Sequence, residues 1–175
     1  SMSGHISTAL PEIIALKKKH KDLYIYLDDA HGLGVMGRGG RGTADHFGVT
    51  KDVDFLMGTF SKAFACIGGF VATNDKDILT YLRHHSKGLI FSAALPAPNV
   101  ATVLKCLDII ESEPERIERL WEITAKVRQG YQDIGLVVGS SDSPIIPICI
   151  GSEEKALKFA ADLWKIGVFA LPVVH

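Results

Sequence analysis

The stretch YIYLDDAHGLG, residues 24 to 34, limits the fold of this chain more than any other part of it. An apolar run of this length reads as a buried strand, and it breaks off into two carboxylates, a histidine and glycines. Open α/β sheets keep their ligands in the crevice outside the carboxyl ends of the strands. Asp28, Asp29 and His31 stand at such an end, so the first expectation is an α/β sheet that presents acids to a ligand.

Charge and composition narrow the ligand. Nineteen basic residues against 20 acidic ones leave a formal net charge of -1, so no basic field draws the chain to nucleic acid or to an anionic membrane. Small molecules are the favoured partners. With 47% hydrophobic residues in 175, the chain can bury one sizeable core. Cys66, Cys106 and Cys149 are odd in number and contain no C-x-x-C pair, which predicts reduced thiols in a cytoplasmic setting. No apolar run reaches the roughly 18 residues of a membrane span, and the opening SMSGHIS lacks the basic-then-apolar pattern of a leader. A soluble protein without a membrane span is expected.

The element order follows from periodicity and punctuation. Residues 9 to 20 show helical spacing behind a proline and feed the strand LYIYLD. Seven glycines between Gly32 and Gly48 predict a loop. Residues 54 to 60 and 68 to 74 read as short strands, and 76 to 86 as a helix. Two long helical patterns run from Pro96 to Gln132, with Pro114 suited to a first turn. After Gly135, LVVG, PIIPICIG and VFALPVV read as strands around a helix at 152 to 167. They predict the opening of a second, smaller α/β unit that stops in mid-element at His175, as a piece of a longer protein would.

Two chemistries write DDAH at a strand end. A nucleotide hydrolase of the Asp-Glu-Ala-His kind uses the acids to hold a metal and a water, but it needs a phosphate loop G-x-x-x-x-G-K-[ST], and the chain contains none. A pyridoxal-phosphate enzyme uses an aspartate against the pyridine nitrogen. The stretch MGTFSKAFACIGGF, 57 to 70, favours the second, because Lys62 in a strand-end turn can bond an aldehyde while Thr59 and Ser61 bond its phosphate.

With LPEIIALKKKH, YLDDAHGLGVMGRGGRG, VDFLMGTFSKAFACIGGF, LIFSAALPAPNVA and GVFALPVV in this order, the chain resembles the α-oxoamine synthases over nearly its whole length. These fold-type I pyridoxal-phosphate (PLP) enzymes, serine palmitoyltransferase and 8-amino-7-oxononanoate synthase among them, join an amino acid to an acyl-CoA, usually with loss of carbon dioxide. The resemblance implies an α/β fold: residues 1–133 as part of the large domain, a mainly parallel sheet with helices on both faces, and 134–175 as the start of the small domain. It implies that Asp28 pairs with the pyridinium nitrogen, His31 contacts the ring oxygen and orients the substrate, and Lys62 bonds the cofactor aldehyde. Thr59 and Ser61 would hold the phosphate. Ser92 matches a residue that reaches the phosphate of the neighbouring subunit, which implies a homodimer with shared sites. The cofactor-stacking residue and the carboxylate-binding arginine of the family fall outside this chain, so the 175 residues alone are expected to be inactive. Ala65 stands where many members carry glycine.

Other readings stand beside these. Asp28 and His31 alone would read as a polar pair capping a turn, and Lys62 alone as a solvated surface residue. The loop 32 to 42 reads either as a flexible turn or, by the resemblance, as a lining of the acyl-CoA side. Asp45 and His46 read as surface loop without a third ligand at metal spacing, so no metal is expected. His84, His85 and Lys87 read as a solvated helix end, and Trp121 and Trp164 as core or interface packing. A non-catalytic partner subunit would keep the fold, but such subunits typically lose the lysine.

Overall fold

The computed structural model describes residues 9 to 139 and 141 to 174; the opening SMSGHIS and the terminal His175 lie outside them. Helix α1, Leu10–Lys17, begins with a proline in its first turn and buries Leu10 and Ile14. Strand β1, Tyr26–Asp28, is followed by short helix α2, Thr43–His46. Strand β2 spans Phe55–Thr59 and strand β3 Gly69–Ala72. Helix α3, Lys76–His85, starts where the Asp75 carboxylate accepts the N–H groups of Asp77 and Ile78 at 2.9 and 3.1 Å, a side-chain cap. Helices α4, Lys87–Ile90, α5, Ala97–Ser112, α6, Glu115–Asp133, and α7, Glu153–Lys165, complete the order.

The sheet order is β1-β2-β3, with β2 parallel to β1 and antiparallel to β3. Among the described residues it is therefore evenly mixed rather than mainly parallel. Antiparallel β3 is reached from β2 through a tight connection, which a parallel neighbour would not allow. Asp54 locks α1 to the start of β1. Its carboxylate accepts the Lys17 ammonium at 2.7 Å and the Ile25 N–H at 2.7 Å.

Alternation along the strands sorts the two faces of the sheet. Ile25 and Leu27 join Leu10 and Ile14 in one apolar cluster. A second cluster gathers Phe64, Cys66 and Val103 with Leu33, Phe60 and Ile110. By strand register both clusters lie on the face of Leu27, Leu56 and Gly58. The opposite face carries Tyr26, Asp28, Met57, Thr59 and Val71, and there Tyr26 and Val71 are exposed.

Several expectations need correction. The strand expected at 168 to 174 does not form, since an extended apolar segment becomes a strand only when a partner supplies its ladder. LVVG and PIIPICIG meet only at an isolated bridge, Val138 with Ile148. The glycine-rich segment is not a free loop. It contains a 3-10 turn at Arg38–Gly40 and helix α2, and it buries Met36 to 1% exposure. Pro114 caps α6 rather than entering its first turn. Trp121 packs as expected and donates its indole N–H to the Val35 carbonyl at 3.1 Å, tying α6 to the glycine-rich segment, while Trp164 is exposed in the single chain and meets only Phe169 edge to face among the described aromatic rings.

Candidate active site

The two acids of the opening motif part company at the end of β1. Asp28 lies on the open face and is exposed, and its carboxylate accepts the Ala30 N–H at 3.1 Å in a local turn. Asp29 turns to the covered face, where it is 1% exposed. Its own N–H bonds the Met57 carbonyl at 2.9 Å, one step beyond the ladder, and its carbonyl accepts Gly32 and Leu33. The turn so formed carries His31.

Lys62 sits in the connection from β2 to β3. Phe60 bonds Gly68 and Cys66 bonds Phe60 through their backbones, at 2.9 and 2.7 Å, closing the connection into a tight loop. Inside it Ala65 bonds back to the Lys62 carbonyl at 2.9 Å with φ of 47°. A residue with a Cβ is strained there, in agreement with the glycine expected at this position. Phe60 and Phe64 anchor the base of the loop edge to face, 5.6 Å apart. Lys62 itself is exposed, and among the described residues its amine has no hydrogen-bond or ion-pair partner. Thr59 and Ser61 share a hydrogen bond of 2.8 Å between their hydroxyls, and the Ser61 N–H reaches the Thr59 hydroxyl at 3.2 Å.

Electrostatics connect the two strand ends. Partial burial and then the positive charge of Lys62 push the His31 imidazole below its ordinary pKa, while the Asp28 carboxylate pulls it up. His31 is exposed, as Asp28 and Lys62 are, and it feels the charge of both. Ser92 stands apart. It follows α4, is exposed, and donates its hydroxyl to the Gly88 carbonyl.

These groups match what pyridoxal phosphate asks of a site: a primary amine for the aldehyde, a carboxylate for the ring nitrogen, and a pair of hydroxyls for the phosphate. None of the six candidate residues lines a cavity of about 790 Å3 whose walls include Leu33, Phe60, Phe64, Phe70, Arg38 and Arg41 on the covered side. Asp45, read as loop surface, pairs with Arg38 at 2.8 Å, which holds its carboxyl down at about 2. Among the described residues no three potential ligands come together to hold a metal. The role of Asp29 escaped the sequence reading, because adjacent acids look alike until strand alternation sends them to opposite faces.

A mixed α/β sheet with an acid, a lysine and hydroxyls at neighbouring strand ends is the arrangement of a fold-type I pyridoxal-phosphate transferase. The chain matches the family model Aminotransferase class I and II over residues 2–174, and it belongs to that family. It is 48% identical to the serine palmitoyltransferase of Bacteriovorax stolpii, over 99% of this chain and 41% of the relative. It is 41% identical to 8-amino-7-oxononanoate synthase 1 of Bacillus subtilis, over 99% of this chain and 44% of the relative. The solved serine palmitoyltransferase of S. paucimobilis, which holds PLP joined to myriocin, superposes with a TM-score of 0.86 at 30% identity, over 93% of this chain and 42% of that one. The chain thus spans less than half the length of the relatives it matches. No helix among the described residues is long and apolar enough to cross a membrane.

Proposed function

We propose that the chain is part of a longer pyridoxal-phosphate-dependent acyltransferase that condenses an amino acid with an acyl-CoA to an α-amino ketone, as the α-oxoamine synthases do. The observation that carries this reading is that Asp28 ends β1 and Thr59, bonded to Ser61 in the connection that carries Lys62, ends the parallel neighbour β2. The named relatives support the same chemistry.

When bound, pyridoxal phosphate supplies an aldehyde that captures amines and a ring that withdraws electrons from the carbon next to the captured nitrogen. Lys62 would hold the cofactor through its amine, and the same amine nitrogen would be the group placed to take up and return a proton. Asp28 keeps the ring nitrogen protonated by its negative charge. His31 would offer a ring nitrogen to the cofactor oxygen and the substrate. Thr59 and Ser61 donate hydroxyl hydrogens to the phosphate. Residues 1–133 form part of the large domain, and 134–175 open the small one. Ser92 serves the site of a second copy in a homodimer. The free thiols of Cys66, Cys106 and Cys149 support a reducing, cytoplasmic compartment.

The test is the protein expressed at the length of its relatives. It should take up pyridoxal phosphate and turn yellow, and borohydride should fix the cofactor on Lys62 in peptide mapping. A colourless protein that takes up no cofactor defeats the proposal, and a panel of amino acids and acyl-CoAs identifies the substrates.

A further inference from the structure

The Asp29 carboxylate is enclosed more tightly than any other acid among the described residues. One oxygen accepts the Thr43 hydroxyl at 2.6 Å and the other the Thr43 N–H at 2.8 Å. Two glycine backbones close in on it from the sides: a Cβ on Gly32 or on Gly42 would lie 2.1 Å from one of its oxygens. Among the described residues no cation pairs with it. Burial raises its pKa, the two bonds from Thr43 oppose that, and the charge of Asp28 adds to the rise.

A buried acid without a cation is costly to keep, and its cost is out of proportion to one loop contact. What it holds explains the expense. Thr43 closes the glycine-rich segment that leaves β1 at Gly32, and the backbone bonds Met36 to Gly32 and Gly42 to Met36, each 2.7 Å, fold that segment back on itself. The Asp29 side chain pins the far end of the segment, while its carbonyl pins the near end at Gly32 and Leu33. His31 lies in the turn from Asp29 to Gly32 that this carbonyl closes, directly before the anchored segment.

We propose that Asp29 is a positioning residue which, through Thr43, fixes the turn carrying His31 and with it the place of the imidazole relative to Asp28 and Lys62. The proposal rests on the reading of these three residues as a pyridoxal-phosphate site for its consequence, but not for its geometry. Asp28 and Asp29 then divide the labour of one dipeptide: the first faces the ligand, the second holds the frame.

The test uses the protein at the length of its relatives, first without cofactor. NMR titration of His31 reports where the imidazole stands, since its lowered pKa depends on partial burial and on Lys62. In Thr43→Val, which changes no charge, and in Asp29→Asn, the His31 pKa should rise toward the ordinary histidine value, and Thr43→Ser should restore it. The dissociation constant for added pyridoxal phosphate should rise on the order of tenfold in the first two variants, as seen when orienting partners are lost from metal ligands. A His31 titration unchanged in folded Thr43→Val overturns the proposal, whatever happens to the melting temperature. A shift in Asp29→Asn without one in Thr43→Val also overturns it, because the effect would then be one of charge. If the parent protein binds no pyridoxal phosphate, the functional reading fails while the His31 titration still decides the positioning role.

Discussion

Gly34 lies directly against Ala63, so close that a Cβ on the glycine would stand 2.5 Å from the alanine methyl. The segment that leaves β1 therefore touches the turn that carries Lys62. Gly34 also has φ of 77°, a conformation that L residues adopt at a cost. Gly34→Ala is expected to destabilise the protein by about 1–3 kcal/mol through strain and overpacking, and to weaken pyridoxal-phosphate retention by displacing the Lys62 turn. Urea unfolding and cofactor titration check the two effects separately.

Ala65 offers the opposite experiment. At φ of 47° it bears the left-handed strain that glycine avoids. Ala65→Gly relieves about 1 kcal/mol of strain, offset in part by the extra freedom of the unfolded chain, for a net gain on the order of 0.5 kcal/mol. A lower melting temperature would contradict this account.

His31 carries a pH signature. Its folded pKa lies below the ordinary value, so its contribution to stability is present above that value and is lost as pH falls through the folded pKa. In the protein without cofactor, Lys62→Gln removes a positive charge and should raise the His31 pKa, whereas Asp28→Asn removes a negative one and should lower it. Histidine NMR titrations read both. Shifts of the same sign in the two variants would show that the three groups are not neighbours.

Asp54 predicts a second pH arm. Burial works to raise its pKa, but the hydrogen bonds from Lys17 and the Ile25 N–H outweigh it and leave the carboxyl below its ordinary value. The stabilisation is therefore present above the ordinary aspartate range and lost as pH falls through the folded pKa. Asp54→Ala leaves the Ile25 N–H without its partner and should cost about 1–3 kcal/mol at neutral pH. It should also flatten the acid limb of stability measured by urea melts.

Ser92 tests assembly. If it serves the site of the neighbouring subunit, Ser92→Ala and Lys62→Ala proteins are each impaired, but a mixed dimer has one site with both lesions and one with neither. Mixing under subunit exchange should recover activity. Absence of recovery, or an active monomer in sedimentation, removes the shared-site reading.

Local sequence determined α3, α5, α6 and α7 to within two residues at each end, but not the short helices α2 and α4. The prolines before α5 and α6 and the Asp75 cap are signals that act within one turn, so α5 falls on the expected APNVATVLKCLDIIES. The strand-end chemistry was legible for a related reason. Asp28, His31, Thr59, Ser61 and Lys62 each stand at the break between an apolar run and a turn, and that break is visible in one dimension. Tertiary structure alone decided the rest. Whether 168 to 174 becomes a strand depends on a ladder partner, and whether the glycine segment is a loop or a packed strap depends on Asp29 and Trp121 reaching it from distant positions. The sequence writes Asp28 and Asp29 as the same letter twice; the alternation of a pleated strand, acting only once the sheet has formed, puts one on the open face and buries the other.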